Sequence, residues 1–414
     1  MVKTDAKLLN TCYFEYYKII NLGVDKMKKS ILAVLVISIF LLAACSQQAQ
    51  DSKEQVQETQ GSYKIGVMAP LTGDGAAYGL PIQKAIKIAI DEVNAKGGVN
   101  GKKLEPIYED SKCNPKDGNA AAQKLVSVDN VKVIIGGVCS GETLGASPIT
   151  EANKVLMISP SATSPDITKA GDFVFRVAPS DAYAGVVASD YAFNELNTRK
   201  AAIISENTDY AQGLRRVFSE NFVKLGGEIV ADETYNPEDT DFRTQVTKVK
   251  AAAPNVIYIV PQSPPKGILL IKQIGEAGIK AQLVTAEVLI GRNIVAENGE
   301  ALEGLIGIEQ KFDEKGPKAA ALLAKYKQQT NEEAPFPGYM AGAYDIVYLL
   351  ADGIAKNGYD SEALKNYFYA VADYNGAVGK LTIDQNGDPI MEYSVQQVKN
   401  GVVVPAQATP HKTE

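Results

Sequence analysis

Short apolar segments alternate with longer segments of helical spacing along most of this chain, and this alternation restricts its fold more than any other feature. The pattern begins at Lys64 and starts again near Ala201. Strands that alternate with helices at this period build parallel sheets covered by helices on both faces. Two successive runs of the pattern therefore predict an α/β protein with two doubly wound, Rossmann-like lobes.

The elements of each run follow from the apolar spacing and from Gly and Pro signals. In the first run, the spacing predicts strands at 64–69, 104–108, 131–135, 155–158 and 173–177, and helices at 79–96, 115–129 and 142–153. In the second run, it predicts strands at 201–205, 228–235, 256–260 and 282–285, and helices at 210–225, 242–252 and 264–277. Helices at 317–329, 339–356 and 361–369 follow, and residues 379–404 alternate like antiparallel strands.

The N-terminal segment has the features of a targeting signal. Lysines between residues 26 and 29 precede an almost unbroken apolar run at 31–44, which is shorter than the about 20 residues that span a bilayer. A charged region, an apolar region and small residues are typical of a signal peptide. The run ends Leu-Ala-Ala-Cys at Cys45, which resembles a bacterial lipoprotein signal. We expect a leader and signal peptide at 1–44 with Met27 as the true start, and lipidation at Cys45. An uncleaved anchor helix is the alternative.

The segment after Cys45 is polar. Residues 46–61 contain one valine and no aromatic residue, so they cannot bury enough surface to fold. We expect residues 45–62 to be a lipidated cysteine followed by a flexible tether.

Composition excludes several kinds of site. The single histidine is His411, near the end of the chain. Serine or cysteine catalysis that relies on histidine, and histidine-ligated metal sites, are therefore not expected in the body of the protein. The chain has 42 Lys and Arg against 49 Asp and Glu, a net charge of -7. No basic run indicates nucleic acid as a partner. We expect neither a cofactor nor a metal.

Two cysteines remain in the folded part of the chain. Cys113 follows the second predicted strand and Cys139 follows the third, so both lie at one edge of the first sheet. In an exported protein such a pair favours a disulfide. Free thiols or a metal site are the alternatives, although two cysteines without histidine make a poor zinc site.

Small polar loops follow two neighbouring strands of the first run. Ser140 comes after the strand at 131–135, and Ser161 and Thr163 come after the strand at 155–158. In an open α/β sheet, ligands lie at the carboxyl ends of the strands. Hydroxyl groups and the free N–H groups of a helix N-terminus suit a carboxylate or a phosphate. Either residue could instead serve only as a turn or helix cap.

Three further features could contribute to a site. The glycine-rich segment 73–79 opens a helix, but its G-x-G-x-x-x-G spacing and distant acidic pair argue against a dinucleotide loop. Tyr78, Tyr210 and Tyr339 fall in loops or at the starts of predicted helices, where their rings can form apolar walls with a polar end. Glu287 follows a strand in apolar surroundings and could pair with a ligand cation, or it could be a solvated loop residue.

From about residue 63 to 407 the chain resembles the leucine/isoleucine/valine-binding proteins of ABC importers, which have the type I periplasmic binding protein fold. The residues that carry the resemblance are Asn-Ala-Lys-Gly-Gly-Val-Asn-Gly at 94–101, Cys139-Ser140, Ser-Pro-Ser-Ala-Thr at 159–163, the segment 175–181, and Asp-Tyr-Ala-Gln-Gly at 209–213. The first of these runs is highly characteristic of the family.

The resemblance implies two lobes joined by a three-strand hinge, which close on an amino acid. The lobes would comprise residues 63–180 plus 312–394 and residues 181–311 plus 395–408, with crossings near 179–180, 311–312 and 394–395 and a tail at 409–414.

The resemblance also implies roles for individual residues. Ser140, Ser161 and Thr163 would hold the ligand carboxylate. The Ser161 carbonyl, the Thr163 hydroxyl and Glu287 would take the ammonium group. Tyr210 would close from the second lobe, and Tyr78 and Tyr339 would face the ligand side chain.

One position departs from the family. Branched-chain binders carry a further tyrosine in a second-lobe loop where this chain has Gln262. An amide there could admit a polar side chain. The departure leaves the amino-acid class in place and the leucine assignment open.

The sequence thus predicts a monomeric, lipid-anchored receptor outside the cytoplasm that delivers a branched-chain or other neutral amino acid to an ABC permease and performs no catalysis. One alternative keeps the fold and binds an amide, urea or aromatic acid. Another is an exported hydrolase that uses paired carboxylates, drawn from the acidic residues on predicted cleft loops: Asp74, Glu142, Asp181, Asp209 and Glu287. A sensory domain is a further alternative.

Overall fold

The computed structural model describes residues 61–406. The predicted leader and signal peptide, Cys45, nearly all of the tether and the tail at 409–414 lie outside the described residues. Within residues 61–406, no helix combines the length and the apolar character needed to cross a bilayer.

The described strands are numbered in chain order. They are β1 (Tyr63–Ala69), β2 (Leu104–Asp110), β3 (Val133–Ile135), β4 (Leu156–Ser159), β5 (Val174–Arg176), β6 (Lys200–Glu206), β7 (Glu228–Tyr235), β8 (Val256–Val260), β9 (Gln282–Ala286), β10 (Ile306–Gln310), β11 (Tyr374–Asn375), β12 (Lys380–Leu381), β13 (Tyr393–Lys399) and β14 (Val402–Pro405).

The described α-helices are numbered in the same way. They are α1 (Ala76–Ala95), α2 (Pro115–Ser127), α3 (Ser140–Ala152), α4 (Asp181–Asp190), α5 (Asp209–Lys224), α6 (Arg243–Ala252), α7 (Pro264–Glu276), α8 (Arg292–Leu302), α9 (Pro317–Thr330), α10 (Pro337–Asn357) and α11 (Ser361–Tyr369).

Two sheets form the framework of the described chain. The first has the order β2-β1-β3-β4-β5, and all of its pairs are parallel. The second has the order β14-β13-β10-β9-β8-β6-β7, in which the β10–β13 and β13–β14 pairs are antiparallel and the other pairs are parallel. The α/β fold class predicted from the sequence is confirmed. The residue boundaries of the two lobes stay a prediction.

The central strands are apolar on both faces, as parallel strands covered by helices must be. Every residue of β8, Val-Ile-Tyr-Ile-Val, is buried.

Helix α1 packs very closely against the loop that follows β1. A Cβ atom on Gly79 would lie 1.8 Å from the Pro70 carbonyl oxygen, so only glycine allows this approach. This packing fixes the N-terminal turn of α1 at the carboxyl edge of the first sheet.

Helices α4 and α8 were not predicted. Helix α4 begins after Ser180, whose side chain accepts a hydrogen bond from the Ala182 N–H. Helix α8 contains a residue with non-helical backbone angles, Asn298 (φ -128°, ψ 18°). Both helices belong to the part of the chain around the second sheet, because α4 packs against α5 and α8 packs against β14.

The predicted pairing of Cys113 with Cys139 is present as a disulfide. Its sequence separation is 26 and its Cα atoms are 5.2 Å apart. Since the two sulfurs are bonded to each other, they provide no thiolate for a metal ion. The bond joins the loop after β2 to the residue that precedes α3.

We expect the double substitution Cys113→Ser, Cys139→Ser to lower the free energy of unfolding by about 3 kcal/mol, because the bond restricts the unfolded chain. Urea denaturation of the mature protein, with and without reductant, measures this change. A variant as stable as the oxidised wild type would show that the bond contributes nothing to stability.

Candidate ligand-binding site

A small cavity lies where loops from both sheets meet. It encloses about 330 Å³ of space that protein atoms do not occupy, part of it open to solvent. The lining residues are Tyr78, Val138, Cys139, Ser140, Ser161, Thr163, Tyr210, Gln262, Glu287, Val288 and Tyr339.

The structure brings together every ligand residue predicted from the sequence. Those of the first lobe follow β3 and β4 or lie in the first turns of α1 and α10. Those of the second lobe follow β8 and β9 or lie in the first turn of α5. The cavity therefore lies at the carboxyl ends of parallel strands, the usual position in open α/β sheets.

One side of the cavity is suited to an anion. Ser140 is the first residue of α3, and the first turn of a helix presents N–H groups that have no partner within the helix. The Ser140 hydroxyl accepts a hydrogen bond from the Ser164 N–H at 3.1 Å, which leaves its own proton available to donate. Thr163 is buried beside it. A carboxylate in this position would receive hydroxyl and backbone donors.

Ser161 is placed differently from its predicted role as a carboxylate donor. Its hydroxyl donates to the Val138 carbonyl at 2.8 Å, and its N–H donates to the Ser159 hydroxyl at 3.3 Å. What Ser161 can offer a ligand is its carbonyl and the lone pairs of its hydroxyl. These acceptors suit an ammonium group better than a carboxylate.

A buried carboxylate stabilises the loops that form the anion-binding side of the cavity. Glu142 accepts hydrogen bonds from the Ser111 hydroxyl at 2.6 Å and from the N–H groups of Cys113 and Cys139 at 3.1 Å, and a further one from the Val138 N–H. Burial raises the pKa of Glu142 to about 7, although its hydrogen bonds act in the opposite direction. Glu142 thereby holds the loops before α2 and α3 together.

Arg176 supports the segment that carries Ser161 and Thr163. It is fully buried, and it donates to the Ser164 carbonyl at 2.8 Å. Its other nitrogens bind both carboxylate oxygens of Asp388, at 2.6 and 2.9 Å. A planar fork of this kind orients its partners strongly. The pair that Arg176 forms with Asp388, more than 200 residues later in the chain, therefore fixes the backbone from 162 to 164.

The opposite side of the cavity is suited to a cation. The Tyr210 hydroxyl donates to Glu287 at 3.1 Å. Asp181 is fully buried behind the cavity wall and does not line the cavity. Its N–H donates to the Thr163 carbonyl at 2.8 Å. Burial raises the pKa of both carboxyl groups, and the charge of Glu287 raises that of Asp181 further, whereas the Thr163 hydroxyl and the charge of Arg176 lower it. Glu287 has no such cation beside it among the described residues, and a ligand ammonium would relieve the cost of its desolvation.

Aromatic rings and one aliphatic side chain complete the cavity. The ring of Tyr78 lies 4.5 Å from the ring of Phe336, and Tyr339 and Val288 line the adjacent wall. The Tyr78 hydroxyl is buried and has no hydrogen-bond partner among the described residues. These walls suit the side chain of a small ligand.

Sequence reasoning did not assign site roles to Asp181 and Arg176. Asp181 was considered only as one of several carboxylates on cleft loops, and the Pro-Ser-Asp run before α4 signals a helix start but no role for the carboxylate. No local signal identifies Arg176, because its partners lie far away in the sequence.

Comparison with known proteins agrees with this geometry. Residues 62–402 match the family described as "Periplasmic binding protein". A leucine-, isoleucine-, valine-, threonine-, and alanine-binding protein of Pseudomonas aeruginosa is 32% identical over 327 residues, which cover 78% of this chain and 86% of that protein. The Leu/Ile/Val-binding protein homolog 1 of Brucella suis is 32% identical over 326 residues, which cover 78% of this chain and 87% of that protein.

Solved structures agree as well. A leucine binding protein of Thermotoga maritima superposes with a TM-score of 0.76 at 29% identity, covering 84% of this chain and 99% of that one. A branched-chain amino acid transporter substrate binding protein of Streptococcus pneumoniae, solved with isoleucine, gives a TM-score of 0.74 at 30% identity, covering 83% and 100%. Taken with the cavity between the two sheets, these likenesses show that the chain belongs to the branched-chain amino acid (leucine/isoleucine/valine)-binding group of the type I periplasmic binding proteins of ABC importers.

Proposed function

We propose that this protein is the substrate-binding component of an ABC importer and that it captures one free α-amino acid between its lobes. The observation that carries the proposal is the polarity of the cavity. Hydroxyl and helix N-terminal donors lie at Ser140 and Thr163, and the carboxyl group of Glu287 lines another part of the same cavity. A zwitterion complements both sides at once.

The proposed binding mode follows from these positions. The ligand carboxylate lies at the N-terminus of α3, and its ammonium group lies between the Ser161 carbonyl and Glu287. Tyr210 and Glu287 belong to the second lobe, whereas Ser140 and Thr163 belong to the first. The ligand therefore contacts both lobes and stabilises the closed form through contacts that the open form lacks.

The names of the relatives make neutral aliphatic amino acids the first ligands to test. The experiment is calorimetric titration of the mature protein, refolded to remove bound ligand, against the twenty amino acids. Binding of one or more free amino acids at a stoichiometry of about one supports the proposal. Binding only of an amide, urea or aromatic acid, or turnover of the ligand, contradicts it.

We further propose that the protein acts as a monomer outside the cytoplasm, anchored by a lipid on Cys45, and delivers its ligand to the membrane subunits of the importer. The lipoprotein-like signal supports this location. Mass spectrometry of the mature N-terminus tests it, because a lipid-free terminus other than Cys45 would contradict the anchor.

A further inference from the structure

A second, larger cavity opens beside the ligand cavity, with about 1240 Å³ of space not occupied by protein atoms, part of it open solvent. We call it the mouth cavity. Asp74 and Lys112 line it from the first lobe, and Glu206, Asp209 and Ser263 line it from the second. It therefore lies between the lobes.

Gln262 connects the two cavities, because it lines both of them. A ligand side chain that extends past Gln262 reaches the mouth cavity.

The mouth cavity carries unbalanced negative charge. Within the described chain, Asp74, Glu206 and Asp209 form no ion pair. The nearby cations have other partners, although the charge of Lys266 still acts on Glu206. Lys112 pairs with Asp117 at 3.5 Å, Arg216 pairs with Asp166 at 2.7 Å, and Lys266 donates to the Asp239 carbonyl at 2.7 Å.

Glu206 is the buried member of this group, with 3% of its surface exposed. Its Oε2 accepts from the Gln262 N–H at 2.7 Å and from the Tyr235 hydroxyl at 3.3 Å. Its Oε1 accepts no hydrogen bond from the described residues. Burial raises the pKa of Glu206 and the charge of Asp74 adds to this rise, whereas the hydrogen bonds of Glu206 and the charge of Lys266 lower it. Because Glu206 forms no direct ion pair within the described chain, a ligand cation can supply one.

Two unpartnered hydroxyl groups point to the same conclusion. Ser263 is 4% exposed and lines the mouth cavity, and its Oγ has no hydrogen-bond partner among residues 61–406. The Tyr78 hydroxyl, which is also without a partner there, lies within the electrostatic reach of both Glu287 and Glu206.

We propose that Glu206 is a specificity-determining residue and that the ligand is an amino acid whose extended side chain ends in an ammonium or guanidinium group. The side chain runs along Tyr78, passes Gln262 and places its cationic end at Glu206 Oε1, near Ser263 Oγ. Asp74 and Asp209 add long-range attraction. This inference rests on the proposed function, since the α-amino and α-carboxylate groups must be held as described there.

The test compares ligands that differ only at the end of the side chain. Calorimetric titration of the ligand-free mature protein uses L-ornithine against L-norvaline and L-lysine against L-norleucine, with L-citrulline as a neutral hydrogen-bond donor. We expect at least one cationic ligand to bind at least tenfold more tightly than its uncharged match and than citrulline. Equal or tighter binding of the uncharged ligands overturns the inference and leaves the proposed function intact. If none of the amino acids binds, the proposed function itself fails.

Variants distinguish a specific role of Glu206 from a general effect of negative charge on ligand preference. We expect Glu206→Gln to reduce the preference for the cationic ligand at least tenfold, and Asp74→Asn, in an exposed loop, to reduce it by about threefold. Glu220→Gln is the matched control, because Glu220 is an exposed glutamate of α5 that lines no described cavity. A preference that survives in both Glu206→Gln and Asp74→Asn contradicts the assignment. If Glu206→Gln does not fold, the comparison of cationic with uncharged ligands and the Asp74→Asn variant test the inference instead.

Discussion

Replacing Glu287 with glutamine is expected to weaken amino-acid binding at least about 30-fold. Removing one partner of a desolvated charge pair costs about 2–5 kcal/mol, and about 1.4 kcal/mol corresponds to a factor of ten in Kd. Glutamine keeps the size of the side chain and an acceptor for the Tyr210 hydroxyl, which donates to Glu287 at 3.1 Å. A loss of affinity can therefore be attributed to the missing charge and not to a change in the shape of the site.

Calorimetric titration of the ligand-free variant measures this effect. Glu300→Gln is the control, since Glu300 is an exposed glutamate of α8 in the same lobe. We expect the control to bind like the wild type. A Glu287→Gln variant whose Kd stays within about threefold of wild type would remove Glu287 from the site.

The second large effect is expected at Arg176. Substitution with methionine should lower the free energy of unfolding by about 3–5 kcal/mol, because it leaves the Asp388 carboxylate and the Ser164 carbonyl without their buried donor. Ligand affinity should fall as well, since the segment that carries Thr163 loses its support. Urea denaturation gives the first quantity and titration gives the second.

Arg243→Met is the matched control for this substitution. Arg243 also pairs with an aspartate, Asp241 at 3.2 Å, but its side chain is 71% exposed, and exposed pairs contribute about 0–1 kcal/mol. If Arg176→Met costs no more than this control, the buried fork does not stabilise the fold.

Much of the architecture could be predicted because the elements are regular. Strands such as β8 are short apolar runs, and helices such as α2 begin with a capping residue and proline, at Asn114 and Pro115. Helix α4 escaped prediction because it is buried through small residues, among them Ala184 and Ala188, and shows no clear polar face. Helix α8 escaped because Asn298 interrupts its helical spacing.

Spacing alone indicated a binding loop where the residues follow strands directly, as Ser140 and Thr163 do. The roles of Tyr78, Tyr210 and Tyr339, which lie in the first turns of helices, came from the family resemblance. Asp181 and Arg176 could not be assigned roles, because what they do depends on contacts between distant segments. The contact between Asp181 and Thr163 and the Arg176–Asp388 pair exist only in the folded chain.

The ion pair between Arg216 and Asp166 joins the second lobe to the first. Both side chains are about half exposed, at 46% and 55%, so the pair contributes no more than about 1 kcal/mol. This ion pair alone is too weak to keep the lobes closed without a ligand. A difference of a few kcal/mol in ligand affinity between open and closed forms is then enough to decide which form dominates. The same weakness favours release, because a transport protein that locked itself shut could not hand its cargo to the membrane.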